Sequence, residues 1–555
     1  MLEKINSTKT NFNSIPYPTP KEKDSNTNFK GLGAGALIIQ GLQECERNPM
    51  INVAVIDMLS AILPRSIVES MTNIFAGFEA FRRESSGLIV NCLLPSFVTL
   101  GFALGINKFV MPKGVNLSSC WADSKFIDTL SSIYEKSEAD DKVLNTYKDI
   151  ISNFEGIDGK ETVKFKECLT EKEIETYAKE LKELAENRKL AETKKGNEKY
   201  KEYKNFRNKV KELSEKISAK THVFENVKLV GKDSEATSGS LRQALEDSAK
   251  YVGEYTKVSK DVDVHSFAKM SKKLVRSKTA LGFAFILPLA ASMQFINRWI
   301  TKKLSGVEGA PIYDDYGKDK PANVDKKAKE GLLKQKIISI TSMLGVSLLS
   351  LMKLPTANML EFKGIFPTMD QARIISTTTF ASRMAAADDK NELAEATVRD
   401  IATFASLYFL GDYAAKAAAT VIQNKSGVTL LNETKALEKD AGFMKRAWHW
   451  IKHTNIKSSE EVVSKTAQKL KEMNKTPDEK EKKIIEKELG KARYYRSACQ
   501  LTNLGVSLVL LGLVIPICTR NKTKRKHAEA NKIASGQDSS LNSDDKKAQE
   551  LSIAV

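Results

Sequence analysis

Apolar residues along this chain are gathered into blocks, and charged residues fill the intervals between them. Residues 85–107, SSGLIVNCLLPSFVTLGFALGIN, carry no charge. About twenty apolar residues are needed to cross the hydrocarbon of a bilayer, so this block predicts a span at about 86–107. Uncharged blocks recur at 279–297, 337–352 and 497–519. The third is short, but Lys336 and Lys353 flank it, and lysines can snorkel to an interface. Arg496 and Arg520 bound the last. A candidate fifth span lies at 401–422, where Asp412 and Lys416 interrupt an otherwise apolar stretch. Between residues 51 and 81 the apolar pattern is broken by Asp57, Arg65 and Glu69 and divided by Pro64. That pattern predicts one or two amphipathic helices lying against a membrane or against other helices.

The polar intervals have helical periodicity of their own. The longest is an insert at 112–275. Within it Thr170 and Glu173 have the spacing of a capping box. Ile174, Tyr177, Leu181 and Leu184 then recur at three and four, as one helix face requires. TKKGNE breaks the stripe, and Tyr200, Tyr203, Phe206, Val210, Leu213 and Ile217 resume it. Two stripes joined at a glycine predict an antiparallel helical hairpin over about 170–219. A second charged hairpin is expected over 431–496, with Ser458/Glu461 and Thr476/Glu479 as capping boxes. Pro477 suits the first helical position there, and its helix is expected to continue to residue 515. Residues 1–30 read as a polar, disordered tail, and 520–555 as a basic and then disordered one. The chain therefore divides into an N-terminal membrane region at 31–111, the insert, a two-span region at 276–360 and a helical region at 361–430. The second hairpin, the span at 497–519 and the tail complete it. The fold class expected is all-α, a multi-pass membrane protein with charged helical-hairpin inserts.

Composition changes this picture little, because averages hide segregation. Mean hydropathy is −0.32 and 28% of residues are charged, values typical of a soluble chain. The net charge of +18 matters more. Lys272, Lys273, Arg276 and Lys278 precede one apolar block, and Arg520, Lys522, Lys524, Arg525 and Lys526 follow another. Basic clusters beside spans are drawn to anionic headgroups, so the bilayer is the expected partner. Nucleic acid is not expected, since no recognition motif or basic-aromatic platform accompanies the charge. None of the six cysteines forms a CxxC pair, which argues against a disulfide framework or a zinc site. The N-terminal thirty residues lack the apolar core of a cleaved signal peptide. GLGAG at residue 31 follows no strand, so it is not a dinucleotide loop.

Candidate chemistry is sparse. The sequence contains no nucleophile elbow, phosphate-binding loop or HExxH, and no catalytic, cofactor or metal residue is nominated. His449 and His453 could share a helix face, but Trp448 and Trp450 beside them favour an interfacial anchor. Asp412 and Lys416 are the candidate intramembrane ion pair, because ionisable residues in a span are costly and positions four apart face each other. Gly101 with Gly105, and Ala498 with Gly505 and Gly512, are candidate helix-packing positions. Two word pairs echo each other: EAFRRE at residue 79 with EATVRD at 395, and LGVSLLSL at 344 with LGVSLVLL at 504. The function expected is a non-enzymatic membrane scaffold whose helical inserts meet a protein partner or the bilayer surface. The alternative is a transporter or channel component using the Asp412/Lys416 helix, and a membrane-bound enzyme comes third.

Overall fold

The apolar blocks become long helices laid side by side, and the 112–275 insert becomes a separate packed body at one end of them. The computed structural model describes residues 34–158, 161–231, 234–305, 326–351, 360–364, 366–388, 390–433, 437, 441–473, 479–515 and 517–518. The expected tails and the Thr476/Glu479 box with Pro477 involve residues outside these. Among the described residues the chain is mostly helical, with six short strands.

Five helices are long and apolar enough to cross a membrane: Pro49–Met71, Ile74–Val110, Val264–Leu304, Gly331–Leu351 and Lys487–Val514. Four of them hold all or most of the uncharged blocks. The first is the segment expected to be amphipathic and broken at Pro64. The helix runs on because Pro64 falls in the first turn after a π-helical stretch, Asp57–Ile62. A proline there removes no hydrogen bond that the wider turn had kept. The run at 401–422 is helical throughout, within Lys390–Ala405, Ser406–Leu410 and Gly411–Ser426. It is not among the five.

Side-chain contacts fix the directions of the helices. Arg65 meets Glu84 across the turn at Asn73, so the first two helices form a hairpin. Asn297 and Thr301 meet Arg82, while Gly282 approaches Thr99, so Val264–Ser305 runs back alongside. Helix Met369–Ala386 lies in the middle, antiparallel to Gly331–Leu351 through Lys336 with Ala385 and Ser347 with Thr377. Lys390–Ser426 then returns antiparallel to it, and Lys487–Ser507 descends beside that, as Ser406 with Ser507 and Asp412 with Asn503 show. The bundle thus has two ends. Arg82, Glu84, Arg298 and Arg383 mark a charged end, and the insert sits at the other.

The insert is more than a charged hairpin. Its two long helices, Glu171–Thr193 and Gly196–Thr221, form as the stripes predict, with the Thr170/Glu173 capping box made. Gly196 turns the chain between them at φ +56°. Their apolar faces are not left to each other alone. Leu181 and Val210 are fully buried in a core with Ile150 and Ile151 of helix Lys142–Ser152 and Leu245 and Val252 of helix Leu241–Tyr255. Under these lies an antiparallel sheet of β1 (Phe154–Asp158), β2 (Glu161–Lys164), β3 (Glu225–Val230) and β4 (Glu235–Ser240) in the order β2-β1-β3-β4. The fold is all-α with few strands, and this small sheet is the addition that the apolar pattern did not predict. The strands escaped notice because they are short, and EATSGS in β4 has little β propensity of its own. Packing against helices supplies what the sequence lacks.

The insert is fixed to the bundle by a shared helix. Phe267, Leu274 and Val275 of helix Val264–Ser305 belong to the insert core, and the same helix continues into the bundle. At the crossing Lys278 donates to the Cys120 carbonyl at 3.0 Å and stands 4.5 Å over the Trp121 ring. A smaller unit lies beside the insert, made of helices Phe443–His453 and Ser459–Met473 and the strand pair Leu431–Glu433/Thr454–Ile456. The Ser458/Glu461 capping box is made. His222 of the insert reaches Ser464 of this unit at 2.8 Å.

Candidate functional site

Helix Met369–Ala386 is short of apolar residues for a central element, and its buried face is rich in hydroxyls. Three of these hydroxyls find partners on three different neighbours. Ser376 bonds the Tyr408 hydroxyl at 2.6 Å, Thr377 donates to Ser347 at 2.7 Å and Thr379 donates to Asn91 at 2.8 Å. In a lipid-facing bundle such bonds add to van der Waals packing as the glue between helices. Four π-helical stretches lie in the surrounding helices: Asp57–Ile62, Ile89–Leu93, Ser406–Leu410 and Leu508–Val514. Each leaves backbone carbonyls with altered partners inside an apolar run, a feature frequent at functional positions.

At the charged end this interior closes on an arginine cluster. Arg383 Nη1 donates to Asp400 Oδ1 at 2.8 Å and Nη2 to Glu84 Oε2 at 3.2 Å. Arg65 takes the other Glu84 oxygen at 2.7 Å, and Arg399 Nε reaches Asp400 at 3.1 Å. Asp400 is buried and the other four side chains are largely so. Three guanidinium groups thus bracket two carboxylates. Asp57 lies within the electrostatic field of Glu84 and Arg383. Sequence reading missed this site, since its members are hundreds of residues apart. One signal was present. Glu84 and Asp400 are the last residues of the echoing words EAFRRE and EATVRD, and both accept from Arg383.

Asp412 and Lys416 lie away from this cluster. Lys416 is buried, and its Nζ donates to the Trp450 and Ile451 carbonyls at 3.0 and 3.1 Å. Its ammonium also stands over the Tyr413 and Trp450 rings. Asp412 is exposed at the bundle side and accepts from Asn503 Nδ2 at 3.1 Å. No direct ion pair joins the two. The close approach that lets Asn503 reach Asp412 depends on Gly411, where an added Cβ would fall 2.1 Å from Asn503 Oδ1.

The small residues are distributed unevenly. A Cβ at Gly512 would meet the Ser60 carbonyl at 3.1 Å and the Pro64 ring at 3.4 Å, so that helix packs closely on Pro49–Met71 there. Cβ atoms at Gly101, Gly105 and Gly505 would meet nothing within 4 Å. Ala498 is half-buried. His449 and His453 lie with ring centroids 5.3 Å apart, and among the described residues no group of three or more His, Cys, Asp or Glu is placed to hold a metal. What the arrangement provides is a set of interlocked donors and acceptors within a span-length bundle. The chain matches no known family model, no curated protein and no solved structure.

Proposed function

We propose that this chain is an integral membrane scaffold: its bundle crosses the bilayer and holds the insert and the smaller unit together on one side, as a docking platform for a protein partner. The observation that carries this reading is where large apolar side chains meet solvent. On the span-length helices Phe97, Phe109 and Leu349 are 71%, 90% and 80% exposed. Leu348, Leu501, Val509 and Leu513 are exposed with them. Between residues 112 and 263 the large exposed apolar residues are Leu190 and Tyr200 alone, among those described. An apolar belt of that extent marks a membrane or partner surface, whereas the insert has the surface of a water-soluble body. The arginine cluster supports a structural role, because its charges are spent on one another.

A second reading, passage of an ion or small solute, is favoured by one observation. Asp412 occupies an exposed position part-way along the bundle, about 18 Å from Asp400 at 1.5 Å per residue, with its carboxylate bound to Asn503. Alkaline carbonate extraction tests the membrane assignment. The protein is expected to stay with the membrane pellet and to need detergent for release. Release by carbonate or high salt would overturn the scaffold and passage readings together, and solute flux in proteoliposomes that Asp412→Asn abolishes would favour the second.

A further inference from the structure

Helix Phe443–His453, FMKRAWHWIKH, is mounted the wrong way round for a soluble protein. Its inward residues are His449, which is buried, and Trp450, whose indole N–H donates to Thr420 at 3.1 Å. Its outward face carries Phe443, Met444 and Trp448, exposed at 81%, 78% and 60%. Met444 and Trp448, with Lys445, Ala447 and Ile451, line an open apolar hollow. Lys445, Arg446 and Lys452 flank this face, and the helix contains no acid. Amphipathic helices with an apolar face, aromatic residues and flanking lysines lie in the bilayer interface.

The position of the helix agrees with that occupant. It is held through Lys416 and Thr420, sixteen and twenty residues beyond Asp400 on one uninterrupted helical run, Lys390–Ala405 through Gly411–Ser426. At 1.5 Å per residue these contacts lie about 24–30 Å from the charged end. The hydrocarbon of a bilayer is about 30 Å thick. With the arginine cluster at one boundary, the helix is therefore docked at the other. Lys416 also satisfies carbonyls at its C-terminus, which would otherwise face a poorly hydrated layer.

We infer that Phe443–His453 is an in-plane anchor whose Phe443/Met444/Trp448 face enters the acyl-headgroup boundary of an anionic bilayer leaflet. This rests on the membrane reading above. It adds a peripheral lipid contact to the spans and fixes the smaller unit against the bilayer surface.

The test uses the full-length protein in vesicles of phosphatidylcholine, with and without phosphatidylglycerol, whose acyl chains carry bromine. Bromolipid quenching is compared between the parent and Trp448→Phe, because the difference isolates Trp448 from the other three tryptophans. Most of the emission lost on substitution should be quenched by bromolipid and spared by aqueous iodide. Lys445→Gln with Lys452→Gln should reduce that quenching in the anionic vesicles and leave it unchanged in the neutral ones. Emission open to iodide instead would overturn the inference. So would emission shielded from both quenchers, which would place a second protein copy on this face. Carbonate resistance measured on the same vesicles keeps the two readings apart. A carbonate-resistant protein with a water-exposed Trp448 refutes the anchor alone.

Discussion

Lys416 illustrates how a buried charge is settled by its surroundings rather than by its neighbour in sequence. It donates to two helix-end carbonyls and lies over two rings, while Asp412 takes its bond from Asn503. Groups in direct contact couple by roughly 0.5–3 kcal/mol, and groups with separate partners by less. A double-mutant cycle on detergent-solubilised protein, with Asp412→Asn and Lys416→Met, should therefore give a coupling below about 0.5 kcal/mol. Lys416→Met alone should cost about 1.5–3 kcal/mol, the range for hydrogen bonds to a charged group. A coupling above that bound would restore the ion pair. Asp247 in the insert offers a pH-dependent case. Burial pushes its carboxyl up to about 6, against the opposing pull of Lys250 and the Trp121 N–H, which donates to it at 2.9 Å. The folded state thus holds this proton more tightly than the unfolded one. Its contribution to stability is complete below the ordinary carboxylate range and is lost as pH rises through about 6. Asp247→Asn keeps an acceptor for Trp121 without the charge. The variant should gain in melting temperature relative to the parent between pH 4 and pH 7, by the equivalent of up to about 3 kcal/mol. A gain independent of pH would contradict the assignment.

Among the elements, helix Glu171–Thr193 shows why a charged sequence need not be a solvated one. Arg188 is buried on it and pairs at 2.8 Å with the equally buried Glu254 of helix Leu241–Tyr255. The other Glu254 oxygen accepts from the Asn116 N–H at 2.7 Å, on the segment that leaves the bundle. One ion pair therefore joins the hairpin, the closing helix and the connection to the bundle. Removing one member of such a pair leaves a buried charge behind and costs about 3–5 kcal/mol. Lys257 also reaches Glu254 and offsets part of that cost. Arg188→Met should destabilise the insert by about 2–4 kcal/mol. Proteolysis within 112–263 should quicken before the bundle loses its helicity. Unchanged proteolysis would mean that the pair lies outside the cooperative unit.

For the whole molecule, chain direction makes a prediction that no single element contains. Four cysteines are buried, and the two exposed ones, Cys168 and Cys518, stand at opposite ends. Cys168 lies in the insert, and Cys518 follows the helix that passes Ser60 and Pro64 toward the charged end. A membrane-impermeant maleimide added to sealed, uniformly oriented vesicles should label only one of them. Detergent should expose the second. Labelling of both in sealed vesicles would refute the proposed crossing. The smaller unit should share the protease accessibility of the insert, because His222 and Ser464 tie them.

Local pattern was enough to determine four of the five span-length helices, the hairpin over Glu171–Thr193 and Gly196–Thr221, and two capping boxes. Each depends on residues within one helix or one turn, where spacing alone sets which faces meet. Tertiary structure decided the rest. Pro49–Met71 holds Arg65, whose charge is met by Glu84 on the next helix. The four-stranded sheet exists because the helices packed on it bury residues that its own short strands barely specify. The Arg383 cluster unites Arg65, Glu84, Arg399 and Asp400, and no periodicity links positions so far apart. Long-range polar contacts are matters of geometry between elements, and a sequence records those only once the elements have packed.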